Sequence, residues 1–113
     1  MTICALSSGS GQSGVAVLRI SGSETKSLIE MITKKSLPPP RKASLLKLYN
    51  INTSSLIDEG IVLWFPAPNS YTGEDMAELH VHGSRAVIST LQNTIIETKK
   101  CRMAHPGEFT KLA

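Results

Sequence analysis

Residues 7–22 read SSGSGQSGVAVLRISG, and how this stretch is read decides the fold. Gly9, Gly11 and Gly14 stand at the spacing G-x-G-x-x-G, which can mark a dinucleotide-binding turn. Such a turn must leave a strand and open a helix, because the helix N-terminus binds the pyrophosphate. Here the third glycine opens VAVLRI, residues 15–20, which is rich in β-branched residues and short enough for a buried strand. The acid expected about twenty residues on could be counted as Glu30, but it falls in a helical segment and not at the end of a second strand. The stretch therefore predicts a hairpin connection between two antiparallel strands, not a nucleotide loop. The P-loop pattern G-x-x-x-x-G-K-[ST] does not occur in the sequence, so these residues alone are not expected to hydrolyse GTP or ATP.

Working outward, residues 2–5 supply the first strand of that hairpin and residues 14–20 the second. Ser21 and Glu24 have the S-x-x-E spacing of a capping box, which predicts a helix start there. Leu28, Ile29 and Ile32 give that helix one apolar face as far as about Lys34, and Pro38, Pro39 and Pro40 end it. Strands are expected at 43–49 and 56–65. A rigid loop, PAPNSYTG at 66–73, leads to a further strand at 76–82. In that strand Ala77, Leu79 and Val81 point one way, and Glu78, His80 and His82 the other. A helix over 84–98 carries Val87, Ile88, Leu91, Ile95 and Ile96 on its apolar side. A short strand near 101–104, a turn at 105–107 and the start of a helix follow. The order implies a single α+β domain over residues 1–113. Its sheet is mixed and mostly antiparallel, of about five strands, with two to three helices on one side.

The 113 residues are enough for one domain with its own core, and 41% apolar with 19% charged excludes global disorder. A net charge of +3 is compatible with an anionic ligand or RNA and demonstrates neither. With one Trp, two Tyr and two Phe, the chain lacks the interleaved aromatics of a nucleic-acid stripe, and Lys34, Lys35, Arg41 and Lys42 read as solvated loop charge. Cys4 and Cys101 lie far apart, which argues against a disulfide framework and for a reducing compartment. No run approaches the ~20 apolar residues of a membrane span, and residues 1–3 lead into strand-like sequence, not a signal peptide.

Arg19 lies between Leu18 and Ile20 and has two readings. It is either a solvated arginine, the usual fate of that residue, or a planar donor fork facing a carboxylate, phosphate or heterocycle. Glu78, His80 and His82 make up the ligand set of a non-haem iron or zinc site, but three same-side strand residues fan along about 13 Å, which one metal seldom gathers. The competing reading is a polar face in a cleft, and no metal ligand is assigned. The proline loop is equally readable as a binding rim and as an ordinary capped turn.

Four blocks then occur together in order: GVAVLRISG at 14–22, LWFPAPNSYTGED at 63–75, ELHVHG at 78–83 and PGEFT at 106–110. With them the chain resembles the N-terminal domain of the tRNA modification GTPases called MnmE or TrmE, from residue 2 to residue 113. The opening ALSSG at 5–9 and the strand HVHG at 80–83 look more like the mitochondrial members than the bacterial ones. That implies a mitochondrial matrix location for a eukaryotic source and a cytoplasmic one for a bacterial source. The resemblance implies a fold similar to the folate-binding domain of aminomethyltransferases. It also implies a reduced folate, 5-formyl- or 5,10-methylene-tetrahydrofolate, held near the interface of a homodimer as a one-carbon source. Arg19 and Glu78 match the family's folate-binding arginine and glutamate, and a further family lysine would lie beyond residue 113. Helical and GTPase domains, the latter using GTP, Mg and K, and a C-terminal cysteine are implied downstream. So is an FAD-dependent partner, MnmG (GidA), with tRNA modified at C5 of the wobble uridine, U34. Ser84-Arg85 stands where the family has Gly-Pro, His105 where arginine is usual, and Leu112 in place of an arginine. These departures keep a second reading open, a dimerisation scaffold with a degenerate folate site.

Overall fold

The computed structural model describes residues 1–7 and 14–113. Its strands are β1 (Thr2–Leu6), β2 (Val15–Ser21), β3 (Ser44–Tyr49), β4 (Leu56–Phe65), β5 (Met76–His82) and β6 (Cys101–Met103), and its helices are α1 (Thr25–Thr33), α2 (Arg85–Glu97) and α3 (Glu108–Leu112). The strands form one sheet in the order β3-β4-β5-β2-β1-β6. Every pairing is antiparallel except β1 with β6, so the α+β class and the mostly antiparallel sheet hold, with six strands in place of about five.

The segment after Gly14 is a strand. β2 pairs antiparallel with β1, Leu6 lying opposite Leu18 and Ile3 opposite Ser21. Gly9 and Gly11, with the hairpin connection expected of them, lie outside the described residues. Alternation divides the sheet into two faces. Ala16, Leu18 and Ile20 of β2, Val62 and Trp64 of β4, and Ala77, Leu79 and Val81 of β5 are buried. They form one core with Leu28, Ile29 and Ile32 of α1 and Leu91 and Ile95 of α2. Both longer helices thus cover the same face, and the other face keeps its side chains for contacts beyond the core.

The capping box is corrected. Ser21 is the last residue of β2, the N-cap of α1 is Glu24, and no side chain caps that helix. Ser21 Oγ instead lies 2.7 Å from Thr72 Oγ1 and donates to Glu74 Oε1 at 3.2 Å. The Glu24 backbone N–H donates to Thr2 Oγ1 at 2.8 Å. Gly22, at φ 137°, makes the close passage between strand and helix, since a Cβ there would stand 2.6 Å from Thr2 Cα. α2 does have a side-chain cap. Ser84 Oγ accepts from the Val87 N–H at 3.1 Å, so the Ser84 departure brings its own helix start.

The loop between β4 and β5 is tied at both ends. The Ala67 N–H donates to Asp75 Oδ1 at 2.9 Å, Ser70 Oγ donates to the Glu74 carbonyl, and the Ala67–Pro68 peptide is cis. With Thr72 bonded to Ser21, the loop is fastened over the end of β2.

Cys4 and Cys101 are both buried and free, yet they are not apart. The parallel β1–β6 pairing sets Thr2 opposite Cys101 and Cys4 opposite Met103, and Cys4 Sγ lies 3.4 Å from Met103 Sδ. A hydrogen bond with Cys4, together with burial, pushes the Cys101 thiol well above its usual range, so it stays a neutral thiol at physiological pH. Among the described residues no helix is long and apolar enough to cross a membrane.

Candidate functional site

The register of β2 against β5 sets Arg19 directly opposite Glu78, on the face away from the helices. A directly opposite pair on one face is within side-chain reach. Arg19 Nε donates to Glu78 Oε2 at 3.1 Å, with the arginine side chain 34% exposed and the glutamate 16%. The two residues expected to bind ligand are therefore brought together, and the solvated reading of Arg19 gives way to a paired one. Its guanidinium also lies 5.6 Å from the ring centroid of Tyr71, which is an exposed residue of the proline loop. The loop is thus a capped turn that also presents an aromatic ring beside the arginine.

Glu78 has a second partner. His80 Nε2 lies 2.9 Å from Glu78 Oε1. A carboxylate oxygen only accepts, so this contact requires the Nε2–H tautomer or the imidazolium. The next histidine on the same face turns elsewhere. His82 Nδ1 lies 2.9 Å from Asp58 Oδ1 of β4, and its backbone N–H donates to Asp58 Oδ2 at 2.9 Å. Burial pushes the Asp58 carboxyl up, but the hydrogen bonds from the His82 backbone and ring outweigh it and hold it below the usual carboxylate range. Glu78, His80 and His82 share a face but do not converge. Among the described residues no group of three His, Cys, Asp or Glu side chains is placed to hold one metal ion.

Two hollows flank this row. Arg19 lines a cleft of about 430 Å³ with Ala5, Leu6, Ser7, His105 and Phe109. His80 and His82 line another of about 320 Å³ with Val15, Leu45 and Ile61. Glu78 lines neither, and its carboxylate lies between Arg19 and His80. Val15 and Leu45 are 54% and 62% exposed, leaving apolar surface around the polar row.

The far wall of the larger cleft is fixed by one carboxylate. Arg102 grips both oxygens of Glu108, and the His105 backbone N–H donates to Glu108 Oε1 at 2.8 Å. His105 contributes here through its backbone, which any residue but proline supplies, so its departure from arginine leaves this contact intact. The hydrogen bonds from Arg102 and His105 bring the Glu108 carboxyl from 4.5 down to about 2. A carboxyl lowered on folding contributes stability above its unfolded value, and that stability is lost as pH falls through the folded one. We therefore expect residues 105–112 to loosen between about pH 4.5 and pH 2, read as a loss of amide protection relative to the intrinsic exchange rate at each pH. Glu108→Gln should remove that pH step while leaving the segment looser throughout. An unchanged step in the variant would assign it to another group.

The family model described as "GTP-binding protein TrmE N-terminus" matches residues 2–113. The chain belongs to this family. Among its relatives, the tRNA modification GTPase MnmE of Pelagibacter ubique is 61% identical over 113 residues, covering 100% of this chain and 26% of that protein. MnmE of Zymomonas mobilis is 46% identical over 112 residues, covering 99% of this chain and 26% of the relative. The 5-taurinomethyluridine-[tRNA] synthase subunit GTPB3, mitochondrial, of Danio rerio is 47% identical over 112 residues, covering 99% of this chain and 22% of that protein. The chain thus spans about a quarter of the length of these curated relatives. The Pelagibacter protein stands nearer than the mitochondrial one, so the lean towards mitochondrial members is not what these identities favour.

Sequence reasoning missed Asp58 as the partner of His82, and His80 as the second partner of Glu78. The signal for the latter was present in the shared face of residues 78 and 80. The former depends on the reach of β4 across to β5, which no local pattern encodes.

Proposed function

We propose that this chain is the folate-binding and homodimerising domain of a tRNA wobble-uridine modification GTPase. Its ligand is 5-formyl- or 5,10-methylene-tetrahydrofolate, which supplies a one-carbon unit. The observation that supports this reading is the Arg19–Glu78 pair on an open sheet face, the two residues to which the family resemblance points for folate binding. The donor set suits a pterin. An ionised carboxylate offers about four acceptor positions, and Arg19 and His80 take one each. Two remain for the N–H and amino edge of a pterin ring. Among the described residues the Arg19 guanidinium bonds Glu78 through Nε, and its terminal nitrogens would serve a carbonyl, a formyl oxygen or a carboxylate tail.

Calorimetry with 5-formyl-tetrahydrofolate is the direct test. Glu78→Ala and Arg19→Ala should each weaken binding by one to two decades, the ~1.5–3 kcal/mol of a charged hydrogen-bonded anchor. Wild-type affinity in both variants would remove the pocket from this face. The exposed apolar surface around Val15 and Leu45 supports the dimer, and sedimentation velocity showing a monomer would count against it. In the same reading, GTP hydrolysis with Mg and K, the FAD-dependent MnmG-type partner and the tRNA substrate belong to the full-length assembly. A dimer that binds no folate would favour the scaffold reading instead.

A further inference from the structure

We infer that His80 is the positioning residue of this site, fixing the Glu78 carboxylate so that it accepts a donor–donor ligand edge; this rests on the folate reading above. Glu78 projects from a central strand between two neighbours on the same face. On one oxygen it meets Arg19 Nε from β2 at 3.1 Å, and on the other it meets His80 Nε2 from its own strand at 2.9 Å. With one donor on each oxygen, the carboxylate plane is held from both sides. A glutamate side chain otherwise has three rotatable bonds, the last a terminal torsion of broad preference, and a ligand would have to order it. Here that ordering is complete before binding. Both donors also leave Glu78 with acceptor positions only. The site therefore favours a planar heterocycle presenting two adjacent N–H donors, such as a 2-aminopyrimidinone ring, over an isostere presenting an acceptor there.

His80 is suited to the task by its own surroundings. Its backbone is pinned between β2 and β4, opposite Val17 and Ile61. Its side chain is 30% exposed at the rim of the smaller hollow. It touches Glu78 and need not touch the ligand.

The test compares His80→Leu, which removes the donor at similar size, with His80→Gln, whose amide nitrogen can replace Nε2 as donor. Calorimetry with 5-formyl-tetrahydrofolate should show binding weakened about tenfold in His80→Leu and largely restored in His80→Gln, with thermal unfolding unchanged in both. Independently of folate, nitrogen-15 NMR of the free protein should find the proton of His80 on Nε2 and protected from exchange, with that protection lost in Glu78→Ala. Wild-type affinity in His80→Leu, equal loss in both variants, or a His80 proton found only on Nδ1 would overturn the assignment while leaving the folate reading standing. A protein that binds no reduced folate at all would overturn both.

Discussion

Gly60→Ala is expected to cost at least about 3 kcal/mol of stability, at the upper end of overpacking effects, and to lower the melting temperature by roughly 10–20 °C. Gly60 lies in β4, and a Cβ built there would stand 2.3 Å from the backbone oxygen of His80 and 3.3 Å from Val81 Cγ1. The obstacle is backbone, so no rotamer change relieves it. β5 has no room to retreat, because its other edge is bonded to β2 from Met76 to His82. The methyl group must therefore part β4 from β5 where Ile61 pairs with His80. Against a typical total stability of about 5–15 kcal/mol, that is a large fraction. A melting temperature equal to that of the wild type would show that the two strands do not approach this closely.

Leu79→Ala is the second large effect, about 2–5 kcal/mol in chemical denaturation, with the denaturant slope unchanged. Leu79 is fully buried in the main core, at the middle of β5. Its neighbours Glu78 and His80 point to the opposite face, so the variant keeps their backbone ladder. The contrast along one strand is itself a measurement. Position 79 should cost stability, and positions 78 and 80 should cost affinity. A large stability loss at Glu78 with no change in binding would invert that assignment.

How much of this was legible in the sequence depended on how local the signal was. The strands at 56–65 and 76–82 match their expected limits, because apolar alternation and the flanking Pro66 and Gly83 are read within the segments themselves. The S-x-x-E spacing at Ser21 misled, because serine suits a strand end bonded to Thr72 as well as it suits a helix cap. Arg19 stayed ambiguous because exposure on a strand face depends on what the neighbouring strand places opposite, and register was not legible before β2 and β5 were paired. The same holds for Cys4 and Cys101, joined only by the parallel pairing of β1 with β6. The family blocks carried Arg19 and Glu78 as a pair. They said nothing of His80 donating into Glu78, because that contact is a matter of side-chain geometry.

The parallel pairing of β1 with β6 also has a consequence in time. β1 sits between β2 and β6, so its outer edge waits for Cys101–Met103. On a ribosome adding roughly 5–20 residues per second, that edge, with backbone groups that template further strands, stays open for about 5–20 s after Thr2 is made. For this interval the nascent chain can build the sheet on the β2 side of β1, but it cannot seal the other edge. Chaperone protection during synthesis matters most in that window, before the last short strand closes the first.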